Sequence, residues 1–346
     1  MNGFWFFRFM RLFATASVAT VALAVSPALP VSTAYALDAA SQTKASNNQI
    51  DKLIEALRPT YAAQDLRQRR AAFERLMAST PDPTRVQIRH VDANGVDADL
   101  IWPARLHHPI GRRVILYLHG GGFYSGSLRT HRNIAGSLAK AASADVLLVD
   151  YRLLPENRVP AQIDDTLAAY RWLLASGYRP ENVVIVGESV GGTLAIEATL
   201  NQLRIKGPLP AAVVAMSPVT DFAATGESIT TNADNDPFMG KAELEVIRNI
   251  YIGDKSPVEP ARSPLYADLT GFPPLLLQVG SRETLLDDTR RLEDKARKAG
   301  VDVTAEVWPG MIHQWQIFPF WIEDARKSNR KVAEFAVSHF ADRPEE

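Results

Sequence analysis

No cysteine occurs among the 346 residues, which excludes disulfides, cysteine metal sites and a lipid anchor of the lipoprotein type. The seven histidines are not clustered and form no H-E-x-x-H pattern, and no glycine-rich loop ends in a phosphate-binding lysine. Neither a metal nor a cofactor is therefore expected. Charge of either sign is not in excess: the formal net charge is −1, which leaves no electrostatic footprint for nucleic acid or an anionic membrane surface. Long apolar runs are missing as well. The run from Leu12 to Val25 falls short of the roughly 20 residues that a membrane span requires. Preceded by Arg8 and Arg11 and followed by the small residues around Ala34-Tyr-Ala36, it reads as a signal peptide over 1–36. Cleavage near Ala36 would deliver a periplasmic or secreted protein with no stable membrane span. The remaining composition, 46% hydrophobic and 22% charged, is ordinary for a soluble globular chain.

Against these absences stands Gly187-Glu-Ser-Val-Gly-Gly192, directly after the apolar run Val183–Val186 and before a helix-like stretch from Thr193 to Leu200. G-x-S-x-G at a strand-to-helix junction is the pattern of a nucleophile elbow, which puts the Ser189 hydroxyl at the N-terminus of the helix. A serine hydroxyl is a weak nucleophile at neutral pH and needs a base, an orienting acid and an oxyanion hole. The hole is legible at His119-Gly-Gly-Gly-Phe123, after the strand-like Val114–Leu118. Consecutive glycines let backbone N–H groups approach a developing oxyanion, so Gly121, Gly122 and the N–H of Val190 are the candidate donors.

Of the histidines, His90 lies in an early strand-like run, and His107 and His108 sit in a polar turn. His131 begins a helix, His339 is near the C-terminus, and His119 fits a role in fixing the glycine loop. His313 follows the last strand-like run, Val303–Val307, and completes the chain order serine, acid, histidine. The acid belongs in the loop after the strand Leu275–Val279, where Glu283 is nearest the strand end. Asp287 is the open alternative, although it and Asp288 fall where the first turn of the next helix favours carboxylates in any case.

The strand candidates Val114–Leu118, Val146–Tyr151, Val183–Gly187, Val213–Met216, Leu275–Val279 and Val303–Val307 alternate with helical stretches. That rhythm predicts an α/β fold with a mostly parallel sheet covered by helices on both faces. The run from Val86 towards Trp102 through Ala93-Asn-Gly95 reads as a hairpin supplying an antiparallel edge. Ahead of it, Ile50, Leu53, Ile54 and Leu57 recur at helical spacing. The interval 222–262 breaks the rhythm, with one helical candidate near Lys241–Ile250.

These motifs, with Asp150-Tyr-Arg-Leu-Leu-Pro-Glu156, Pro160-Ala-Gln-Ile-Asp-Asp165, Ser217-Pro-Val-Thr-Asp221 and Gly310-Met-Ile-His313, resemble the bacterial hormone-sensitive-lipase-like esterases, also called family IV. The resemblance runs from about Val86 to Trp315. It departs in carrying Glu188 and Val190 around the serine where Asp and Ala are usual, and Glu283-Thr-Leu where Asp-Pro-Leu is usual. It implies an α/β-hydrolase fold whose core spans 86–221 and 263–346. The segments 37–85 and 222–262 would form a small helical cap over the site. It further implies a serine carboxylesterase acting on short- to medium-chain acyl esters. Phe123, Tyr124, Phe238, Met239 and Trp315 are candidate pocket walls, and a homodimer is possible. The same triad would serve a lactone or amide hydrolase, and the plant gibberellin receptors show that a ligand-binding protein can resemble this family.

Overall fold

The computed structural model describes residues 48–62, 65–106 and 112–341; the expected signal peptide and His107 and His108 lie outside them. Two helices come first. In α1 (48–62) Ile50, Leu53 and Leu57 are buried, as their spacing requires, and α2 (Leu66–Ala78) is started by the Asp65 side chain, which accepts from the Gln68 N–H at 2.8 Å. Next comes the expected hairpin, β1 (Val86–Asp92) and β2 (Asp97–Pro103), antiparallel through a turn in which Asn94 and Gly95 both have positive φ. Asn-Gly tolerates that backbone, and its twist matches the flanking strands.

The chain then alternates: β3 (Val114–Leu118), α3 (Leu128–Ala142), β4 (Asp145–Val149), α4 (Ala161–Ala175), β5 (Val183–Glu188), α5 (Val190–Arg204) and β6 (Ala212–Met216). After β6 come a short α6 (Ser228–Thr231) and α7 (Lys241–Tyr251). β7 (Leu275–Gly280), α8 (Leu286–Lys298), β8 (Val303–Trp308) and α9 (Glu323–His339) complete it. The sheet has eight strands in the order β1-β2-β4-β3-β5-β6-β7-β8. β2 runs antiparallel to β1 and β4; every other pairing is parallel. One strand end differs from the sequence reading. β4 stops at Val149, because Tyr151 turns out of the sheet and donates its hydroxyl to the His119 carbonyl at 2.6 Å.

Successive residues of the central strands enter opposite cores. Val114, Leu116 and Leu118 join one with α4, α5, α7 and α8, while Ile115 and Tyr117 join the other with α1, α3 and α9. Burial on both faces explains why these strands read as continuous apolar runs. Each fully buried Leu, Ile or Val in them contributes about 1.5–3 kcal/mol relative to exposure. The consequence for the site is a rigid platform: the loops after β3, β5, β7 and β8 leave the same end of the sheet. No helix among the described residues is long and apolar enough to cross a membrane.

Candidate active site

β5 ends at Glu188, and the chain reverses at Ser189 with φ 54° and ψ −125°, a conformation costing a non-glycine residue about 1–3 kcal/mol. The surroundings hold it there. A Cβ on Gly187 would overlap the Gly191 backbone, and one on Gly191 would overlap the Leu118 carbonyl, so only glycine fits at either position. The Ser189 N–H donates to the Met216 carbonyl at 2.8 Å, which ties the elbow to β6.

His313 lies in the loop after β8, with its Nε2 3.0 Å from Ser189 Oγ. Its Nδ1 is 2.9 Å from Glu283 Oε2. Glu283 is held in turn, its other oxygen accepting from the Gly280 N–H at 2.6 Å and the Ser217 hydroxyl at 2.7 Å. All three residues are buried. Burial alone would lower the His313 pKa, but the hydrogen bond and charge of Glu283 outweigh it and hold the imidazole above its ordinary value. Burial pushes Glu283 upward, with His313 partly offsetting it.

The two neighbouring acids are engaged elsewhere. Asp287 and Asp288 sit in the first turn of α8; Asp287 accepts from the Ser228 N–H at 2.8 Å. Asp288 accepts from the N–H groups of Thr220 and Asp221 at 2.7 and 2.9 Å, and burial raises it to about 7 against those donors.

On the other side of Ser189 the glycine loop carries positive φ at Gly121, Gly122, Phe123 and Gly126. The bonds that hold it use the Gly121 carbonyl, which accepts from Tyr124 and Ser125, and the Gly120 N–H, which donates to Glu188 Oε1. The N–H groups of Gly121 and Gly122 stay out of those bonds beside Ser189, and Val190, first residue of α5, has an N–H with no partner inside the helix. Glu188 Oε2 accepts from the Tyr117 hydroxyl at 2.6 Å. His131 Nε2 is 2.9 Å from Glu188 Oε1 but out of line for a hydrogen bond. His119 is stacked between His131 and Tyr151, and burial, then the nearby His131, depress it to about 3. A neutral ring at that position orders the loop and is a poor proton acceptor.

The cleft at Ser189 is narrow, with about 20 Å³ of free space, room for little more than one water molecule. Tyr124 and Met239 line it, as do Tyr61, Glu243, Ile247 and Gln314. Glu243 accepts from the Tyr124 hydroxyl at 2.9 Å and pairs with Arg69, joining α2 to α7 across the cleft. Three of the expected walls, Phe123, Phe238 and Trp315, do not line this space. Phe123 stacks on Tyr251 at 3.9 Å, Phe238 on Tyr61 at 4.5 Å, and Trp315 is buried beside Trp308. Their rings are taken up by core and interhelix packing.

A serine elbow after a central parallel strand, with a histidine and a carboxylate on later loops, defines an α/β hydrolase. Residues 115–317 match the family profile of that name, the alpha/beta hydrolase fold. The chain is 44% identical over 225 residues to an acetyl-hydrolase of Streptomyces hygroscopicus, covering 65% of this chain and 74% of the relative. It is 35% identical over 270 residues to an esterase of Acinetobacter venetianus, covering 78% and 88%. The crystal structure of an esterase from the bacterial hormone-sensitive lipase family matches with a TM-score of 0.80 at 42% identity, over 85% of this chain and 99% of that one. An esterase/lipase from an uncultured bacterium matches at 0.78 and 34%, with the same coverage. The chain belongs to the hormone-sensitive-lipase-like esterases of the α/β-hydrolase fold, and is an enzyme of the carboxylic ester hydrolase class.

Proposed function

We propose that this protein hydrolyses short-chain acyl esters, acetyl esters foremost, through Ser189, His313 and Glu283. One observation carries the reading: a single imidazole lies within hydrogen-bond reach of both Ser189 Oγ and Glu283, at 3.0 and 2.9 Å. Glu283 selects the tautomer with the proton on Nδ1, leaving Nε2 free to take the Ser189 proton as Oγ attacks the carbonyl. The N–H groups of Gly121, Gly122 and Val190 receive the oxyanion; each such donor is worth roughly 3 kcal/mol in the transition state. The imidazolium then protonates the leaving alcohol. Water, deprotonated by the same nitrogen, attacks the acyl-enzyme to release the acid and regenerate Ser189.

The preference for short chains rests on the free space of about 20 Å³ beside Ser189, which admits a methyl group and little more unless a wall moves. Export follows the basic, apolar and small-residue succession up to Ala36, and the mature protein acts on a small-molecule ester in the periplasm or outside the cell. Hydrolysis of p-nitrophenyl esters from acetyl to palmitoyl, with Ser189→Ala in parallel, tests the reading. Turnover is expected to peak at acetyl or butyryl and to fall by about 10⁴-fold or more in the variant. Absence of Ser189-dependent turnover at every chain length would sink it and favour a binding protein.

A further inference from the structure

A second cavity, of about 780 Å³ and rimmed by the exposed Arg204, Pro260, Ala261, Asp268 and Thr270, neighbours the cleft; its size is typical of ligand sites. Its walls come from the start of α4 (Pro160, Ile163), the second half of α5 (Glu197, Leu200) and the segment after α7, with Tyr251 among them. The two spaces are neighbours along both chain segments that line them. On α7, Glu243 and Ile247 face the cleft, and Tyr251, the next residue at the same i, i+4 spacing, faces the cavity. On the glycine loop, Gly122 lines the cleft, and Phe123, the next residue, stacks on Tyr251 with ring centroids 3.9 Å apart and planes 10° from parallel. Two stacked rings are therefore the partition between a space that holds about one water and one that would hold a medium acyl chain.

The partition is pinned from the cavity side. The Tyr251 hydroxyl donates to Glu197 Oε2 at 2.6 Å, and Glu197, itself buried, has no partner for Oε1 among the described residues. Phe222 packs on the flank of Tyr251 at 5.4 Å. The rest of the lining is mixed: Val159, Ile163, Leu200, Leu203 and Ala267 supply hydrocarbon, while Asn201, Arg204, Glu259, Arg262, Asp268 and Thr270 supply polar groups. An aliphatic chain entering past Tyr251 would meet the Glu197 carboxyl and the hydrocarbon of Ile163 and Leu200, with the charged Arg204, Glu259, Arg262 and Asp268 elsewhere in the lining.

We infer that the Phe123–Tyr251 pair sets the upper limit of acyl length, closing the Ser189 cleft against a cavity large enough for a medium acyl chain. This inference rests on the ester-hydrolase reading above. Removing the Tyr251 ring vacates the space against which Phe123 is stacked, so that the Phe123 ring can swing aside and open the cleft towards the cavity. The ratio of kcat/KM for octanoyl over acetyl p-nitrophenyl ester is expected to rise by at least about tenfold in Tyr251→Ala, and to stay near the wild-type ratio in Tyr251→Phe. Tyr251→Phe keeps the ring and loses only the bond to Glu197. Leu200→Trp, which fills the cavity from the far side, is expected to cancel the gain when added to Tyr251→Ala. Tyr251→Leu keeps an apolar side chain and applies the same test should the alanine variant fail to fold.

An unchanged ratio in a folded variant that still turns over the acetyl ester overturns the partition alone. A gain that survives Leu200→Trp overturns it too, since the chain would then lie elsewhere. If the wild type shows no Ser189-dependent acetyl turnover, the hydrolase reading falls and the partition with it.

Discussion

Two buried glutamates flank Ser189, one on each side, and they do different work. Glu283 faces an imidazole: Oε2 meets His313 Nδ1 at 2.9 Å along a hydrogen bond, so the carboxylate is in line with a ring whose charge changes when Ser189 is deprotonated. Glu188 faces fixed donors, the Gly120 N–H and the Tyr117 hydroxyl. It has an imidazole nearby too, but His131 Nε2, 2.9 Å away, is not aligned to donate. Both are fully buried. What separates a carboxylate that stabilises developing charge from one that holds a loop in place is the partner on its lone pairs and that partner's alignment. In the proposed mechanism Glu283 orients the base, whereas Glu188 anchors the first glycine of the glycine loop.

The largest expected effect tests the first half of that contrast. Glu283→Gln keeps the volume but removes the charge, and its amide can stabilise the wrong tautomer; kcat is expected to fall by about 10⁴-fold. The pH profile sharpens it. Glu283 is what lifts His313 above its ordinary 6.5 against burial, so the imidazole keeps its proton, and is unusable as a base, to higher pH. In the wild type, kcat/KM should climb through a pH above that value. In Glu283→Gln burial is opposed only by the weaker influence of the Asp236 and Glu188 charges, and the residual activity should climb at lower pH. A limb that does not move would show that Glu283 does not govern the base. Glu188→Gln is expected to act differently. The side chain can still accept from Gly120, so kcat should drop by about tenfold, equivalent to about 1.4 kcal/mol of lost positioning, with KM nearly constant. The pH limb should move down only slightly, because the Glu188 charge is the smallest of the influences that raise His313. A limb displaced as far as in Glu283→Gln would erase the distinction.

The sequence makes some of this site legible because parts of it are local. The elbow needs only a strand, small residues and a helix in succession, and Gly187 and Gly191 betray the close backbone approaches around Ser189. The strands were readable because burial on both faces leaves short apolar runs. The acid was harder: Glu283 and Asp287 are four residues apart, and which one meets His313 depends on where α8 begins. Leu285 stands at its N-cap, which puts Asp287 in the helix facing Ser228 and leaves Glu283 in the loop facing the base. The cleft walls were least legible. Phe123 is a candidate wall by sequence, but at φ 63° its ring stacks on Tyr251. Tyr61, Glu243 and Ile247 carry no local motif; they meet Tyr124 and Gly122 only through packing between segments far apart in the chain.

The smallest expected effect probes the remaining acid. Asp287 and Ser228 exchange bonds: the Ser228 N–H donates to Asp287 Oδ2 at 2.8 Å, and the Asp287 N–H donates to Ser228 Oγ at 2.9 Å. The Ser228 hydroxyl also donates to the Thr284 carbonyl at 2.6 Å, so this pair clamps the segment after β6 onto the loop that carries Glu283. Asp287→Asn leaves an acceptor for Ser228 and removes a charge whose ion-pair contact among the described residues, Arg290 at 3.6 Å, is more than half exposed. The change from a charge-assisted to a neutral hydrogen bond should cost about 0.5–1 kcal/mol. In a chain this size that lowers Tm by about 2 °C. Because the clamp still closes, kcat should stay within about twofold of the wild type, with the pH limb unmoved. A loss of orders of magnitude, with the limb shifting as in Glu283→Gln, would mean that two carboxylates share the base, and the assignment of that work to Glu283 alone would have to be given up.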